Sequence, residues 1–126
     1  MDKKVRQWIF WFFIIWNVFL FYLLLTPGSI YKSVYLFEGE DKFVHAILFG
    51  VWTFCLSFLL MKREQLMKRT ALTGFVVAIL LAAVTELAQM IVPNRTAGFS
   101  DFFADAIGAL IGIGVMFLIK KELNRT

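Results

Sequence analysis

The sequence predicts an all-α membrane protein: four transmembrane helices in a compact bundle, with both termini on the cytoplasmic side (N-in/C-in). Three observations carry this. Of 126 residues, 60% are hydrophobic and 17% aromatic, and mean hydropathy is +0.77, whereas a soluble domain is about 45–50% apolar. Four apolar runs of about 20 residues, the length that crosses a ~30 Å hydrocarbon core, span Trp8–Leu25, Phe43–Met61, Ala71–Val92 and Phe102–Ile119. Lysine and arginine are segregated to one side of these runs.

The elements follow in chain order. Lys3, Lys4 and Arg6 precede a first run rich in Trp and Phe, in which Asn17 is the one strongly polar residue. With no Ala-x-Ala-like site after it, this run reads as an uncleaved signal anchor that faces lipid. The segment Thr26–Glu40 opens with Pro27-Gly28 and carries Tyr31, Tyr35 and Phe37, which suits a loop along the membrane interface. A basic turn, Lys62–Thr70, joins runs two and three, and Pro93–Ser100 joins runs three and four. In lipid the backbone must satisfy its own hydrogen bonds, so each run is a helix. The length holds one domain, residues 1–126, and no second.

Ten basic residues fall on one side: Lys3, Lys4, Arg6, Lys62, Arg63, Lys68, Arg69, Lys120, Lys121 and Arg125. Only Lys32, Lys42 and Arg95 fall on the other. The positive-inside rule then puts both termini in the cytoplasm. The net charge of +4 flanks apolar segments and is not a nucleic-acid signature. Cys55 is the lone cysteine, which excludes a disulfide framework and a cysteine-based zinc site.

Three polar clusters interrupt the apolar pattern. Asp41, Lys42 and His45 enter span two, Glu86 and Gln89 end span three, and Asp101 and Asp105 open span four. Each pair three or four residues apart shares a helix face. With the topology above, all three clusters and Arg95 of the third loop meet at the outer leaflet. Asp41 and Asp101 also suit helix N-caps, with Ser100 competing for the second cap. Gln89 also suits interhelical bonding, and Lys42 suits snorkelling to the interface. Glu86, six residues before Val92, lies roughly 9 Å inside the run at 1.5 Å per residue. It and Asp105 need a partner or a proton at that depth. Structural pairs such as Glu86–Arg95 or Asp105–His45 are the alternative to a functional role. Ala104, Gly108 and Gly112 form a small-xxx-small ladder in span four, a pattern that lets helix backbones approach closely.

These clusters resemble those of the VanZ-like family of small bacterial membrane proteins. The resemblance rests on Asp41-Lys42-Phe43-Val44-His45, Glu86-Leu87-Ala88-Gln89, Pro93-Asn94-Arg95, Asp101, and Gly108 with Gly112. It covers about Asp41 to Gly112, and the family often has Asn where this chain has Asp105. It implies a bacterial plasma-membrane (inner-membrane) envelope protein. The family's namesake is associated with resistance to teicoplanin-type glycopeptides.

Three functions compete. The first is an outward-facing polar pocket that binds a membrane lipid headgroup or a lipid-linked wall precursor, with Arg95 on phosphate and Glu86 or Asp105 on an amine. The second is a small membrane enzyme acting on such a headgroup, with His45 as base and Glu86 as acid. No Gly-x-Ser-x-Gly or His-Glu-x-x-His sequence occurs, so binding is preferred to catalysis. A carboxylate–histidine set could also hold a divalent cation, but no metal or cofactor is assigned. The third is a carrier, for which four helices would require a homo-oligomer. A homo-oligomer also stays open for the other two.

Overall fold

The computed structural model describes residues 3–31, 39–61, 67–95 and 97–123. Among them the chain is all-helical: α1 Lys3–Leu25, α2 Gly28–Tyr31, α3 Glu40–Leu60, α4 Met67–Gln89 and α5 Phe99–Leu123. Four of these, all but α2, are long and apolar enough to cross a membrane. Of the loop Thr26–Glu40, residues 32–38 lie outside the described set, Tyr35 and Phe37 among them. The same holds for residues 62–66 of the basic turn.

The helices overrun the apolar runs at their basic ends. Lys68, Arg69 and Thr70 belong to α4, and Lys120 and Lys121 to α5. Lysine and arginine are good helix formers, and Lys120 and Lys121 also face the negative pole of the α5 dipole. At the other end α4 stops at Gln89, three residues short of Val92. Val92 precedes Pro93, and a residue before proline is driven out of the α region. Ile91 and Val92 close 3₁₀-type turns on Ala88 and Gln89.

α3 begins after Gly39, whose φ of 89° is left-handed and is tolerated without strain only by glycine. Glu40 and Asp41 fill its first turn. α5 begins at Phe99, so Asp101 lies in its first turn, where a carboxylate favours the helix dipole. Neither Asp41, Ser100 nor Asp101 therefore takes the N-cap position; glycines, Gly39 and Gly98, precede both helices.

α3 and α5 make the most extensive contact in the bundle. They run parallel and meet through small residues. A Cβ on Gly108 would run into the backbone carbonyl of Ala46, and one on Gly112 into that of Gly50. The step is four residues on each helix, so one face of each stays in register. Gly114 has nothing within 4 Å of its Cβ position and is exposed. α4 packs on both, and a Cβ on its Gly74 would run into the Ser57 hydroxyl of α3. α1 touches α3 and α4. Its buried Leu20 and Leu24 join Leu48, Phe49, Trp52, Ala78, Ala82 and Ala109 in the main core. Most of its other large side chains are exposed, Trp8, Trp11 and Tyr22 among them, as lipid-facing residues are.

Candidate functional site

The close approach of α3 and α5 sets the site. His45 precedes Ala46 and Asp105 lies one turn before Gly108, so both sit at the tightest part of the contact. His45 Nδ1 and Asp105 Oδ1 are 2.9 Å apart, with the residues 1% and 0% exposed. One turn earlier on each helix, Asp41 and Asp101 lie on the same faces. Donor atoms of Asp41, His45 and Asp101 all fall within 4.8 Å of one another, and so do those of His45, Glu86 and Asp105. Three helices therefore deliver one histidine and four carboxylates to a single locus.

Glu86 is half-buried in the last turn of α4, nearer the helix end than the apolar run suggests. Its Oε2 accepts the Gly98 N–H at 3.0 Å, which ties the start of α5 to α4. Ser100 Oγ donates to Asp101 Oδ1 at 3.3 Å. Among the described residues, His45 Nε2, Glu86 Oε1 and Asp105 Oδ2 are buried without a hydrogen-bond partner. An unpartnered buried polar atom costs about 1–3 kcal/mol, more if charged, so three in one cluster demand an explanation.

Arg95 and Gln89 do other work. Arg95 donates from Nε to the Thr26 carbonyl at 3.2 Å and from Nη2 to the Leu23 carbonyl at 2.6 Å. Its Nη1 lies 3.4 Å from Asp41 Oδ1. Gln89 Nε2 donates to the Leu24 carbonyl at 3.0 Å. A helix leaves its last carbonyls without intrahelical partners, and these two side chains satisfy those of Leu23 and Leu24 at the end of α1 and of Thr26 just beyond it. The guanidinium is thus committed to holding α1, α3 and the α4–α5 turn together. Lys42 is exposed and stands outside the buried set. Ala104 is buried one residue before Asp105.

Several participants carry weak sequence signals. The Gly98 N–H and the carbonyls of Leu23, Leu24 and Thr26 are backbone groups, which residue type does not mark. Ala46 and Gly50 repeat the four-residue small-residue step of α5, and that spacing is the signal for their role. Away from the site, Trp52 Nε1 donates to Asn17 Oδ1 at 3.0 Å, and Trp16 Nε1 donates to the Leu48 carbonyl at 3.0 Å. Both bonds dock α1 on α3.

With the geometry in place, a family model described as VanZ/LLP1 matches residues 5–120. The chain belongs to the VanZ/LLP1 family. No curated protein and no solved structure matches it. Family and helices together make this a VanZ-like, multi-pass membrane protein. The VanZ/LLP1 match takes in α3, α4 and all but the last residues of α5, and so every residue of the acidic locus.

Proposed function

We propose that this VanZ/LLP1 protein is a bacterial cell-envelope protein of the plasma membrane, with both termini in the cytoplasm. Its acidic locus then opens toward the outer leaflet and binds the headgroup of a membrane lipid or of a lipid-linked wall precursor. The observation that supports this is the convergence of His45, Asp105, Glu86, Asp41 and Asp101 at one end of the bundle. Ionisable groups inside a membrane are costly and mark binding or transfer sites. Four carboxylates against one guanidinium, itself held by the Leu23 and Thr26 carbonyls, favour a headgroup with a cationic part.

The test is mass spectrometry of the lipids retained by protein purified in mild detergent, wild type against Glu86→Gln. A specific lipid class should co-purify with the wild type and fall at least about tenfold in the variant, the equivalent of 1.4 kcal/mol. Equal retention would overturn the reading. If the headgroup is that of a wall precursor, expression raises tolerance to teicoplanin-type glycopeptides, and Glu86→Gln removes that gain.

One observation favours a second reading, a membrane enzyme acting on the same headgroup. The His45–Asp105 pair at 2.9 Å is the arrangement in which a carboxylate orients an imidazole for proton transfer. Turnover of the retained lipid by wild type but not by His45→Ala would select it.

A further inference from the structure

We infer that His45, Glu86 and Asp105 form a binding site for a divalent metal ion of the zinc or manganese class, with Asp41 and Asp101 completing its surroundings. An acidic cluster alone would not carry this, because such clusters are often merely solvated. Here the donors are buried and incompletely satisfied. His45 and Asp105 are 1% and 0% exposed. Each keeps one polar atom, Nε2 and Oδ2, buried without a partner among the described residues, and Glu86 keeps Oε1 in the same state. These are the residues whose ligand atoms lie within 4.8 Å of one another. A cation bound by His45 Nε2 and Glu86 Oε1 would satisfy both, while Asp105, bonded to Nδ1, orients the imidazole from its opposite edge.

The bonds already made suit that role. A metal-bound histidine commonly hydrogen-bonds a carboxylate through its other ring nitrogen, which fixes the ring and raises its basicity. Here the Nδ1–Asp105 bond of 2.9 Å does this and leaves Nε2 for a metal. Glu86 is held the same way through Oε2 by the Gly98 N–H at 3.0 Å. The scaffold is also stiff. α3 and α5 meet backbone to backbone at Gly108 and Gly112, and metal sites in helix bundles are built from side chains on facing helices.

The donor set selects the ion. Imidazole nitrogen suits zinc, iron, nickel and copper, carboxylate oxygen suits manganese and magnesium, and a mixed set points to the overlap. Cys55 lies more than two helical turns along α3 from His45 and takes no part. A bound divalent ion would offset most of the local negative charge, which Arg95 offsets at Asp41. Its remaining coordination positions would accept a phosphate oxygen. That last step alone rests on the headgroup reading, and metal binding stands without it.

The experiment uses the full chain without an affinity tag, stripped with EDTA in detergent and free of added lipid. Mn²⁺ is titrated by electron paramagnetic resonance, and Zn²⁺ is measured by elemental analysis after desalting. The wild type should retain one equivalent. Asp105→Asn and Glu86→Gln should each weaken binding at least about tenfold, whereas Glu122→Gln, at the far end of α5, should not. Zinc X-ray absorption on the wild type tests the site without relying on variant folding. It should show imidazole nitrogen with oxygen and no sulfur. No uptake of either ion, equal uptake by Asp105→Asn and wild type, or a sulfur ligand would each overturn the site. Metal uptake with no lipid retained would leave the metal site standing and sink the headgroup reading.

Discussion

Replacing Gly108 with alanine tests whether backbone contact between α3 and α5 holds the site together. A Cβ there would lie 2.7 Å from both the Cα and the carbonyl carbon of Ala46, whereas carbon atoms sit best at about 3.5–4.0 Å. The obstructing atoms are backbone, so no side chain can turn aside, and the helices must separate by about 1 Å. Carried to the neighbouring pair, that stretches the 2.9 Å His45–Asp105 bond to about 3.9 Å, beyond hydrogen-bonding range. Overpacking costs about 1–3 kcal/mol. Alanine's higher helix propensity returns up to about 1 kcal/mol, which would blur a single measurement. Gly114→Ala, on the same helix with open space at its Cβ, gains the same propensity without the clash. The difference between the two variants therefore isolates the packing cost. Unfolding by SDS titration, followed through the four tryptophans, should place Gly108→Ala below Gly114→Ala by about 1–3 kcal/mol. Equal stability of the two would refute the close-packed contact and the account of how the site is assembled.

Two further expectations follow. Arg95→Lys keeps the charge but loses the planar fork that spans the Leu23 and Thr26 carbonyls and Asp41. The same titration should show a loss of about 1.5–3 kcal/mol, and a variant as stable as wild type would remove Arg95 from the architecture. Orientation can be read by cysteine labelling in a Cys55→Ala background. With an impermeant maleimide on intact cells, Ser29→Cys should react and Lys121→Cys should react only after lysis, and the reverse pattern would invert the topology.

The all-helical, four-span architecture was legible because hydropathy and length are local properties, averaged over about 20 residues. Boundaries were less so. Met90, Ile91 and Val92 are as apolar as the helix before them, yet Pro93 stops the helix at Gln89, and Glu86 sits in the last turn instead of deep in the run. The four-residue spacing placed Asp41 with His45 and Asp101 with Asp105 on common faces, because a helix repeats closely at that interval. Which faces meet depends on residues 60 apart in the chain, as with His45 and Asp105. Arg95 was the least legible. A loop arginine beside carboxylates reads as a ligand for phosphate, but two of its bonds go to main-chain oxygens 69 and 72 residues away, which no side-chain pattern encodes.

The clasp on α1 has a consequence for the order in which the molecule is built. Lipid tails are as apolar as the flank of α1, so no hydrophobic force draws that helix onto its neighbours, and directional bonds must do it. The side chains that grip the end of α1, Gln89 and Arg95, are made 65 to 72 residues after the carbonyls they bind. Until they emerge from the ribosome, α1 is tied to α3 by the Trp16 and Trp52 bonds, but the carbonyls of Leu23, Leu24 and Thr26 lack these partners. Closure of the bundle at that end of α1 therefore waits on the α4–α5 turn, the same stretch of chain that brings Glu86 and Gly98 together. The bundle closes and the acidic locus takes shape in one late event. A nascent chain cut before residue 95 would leave both undone.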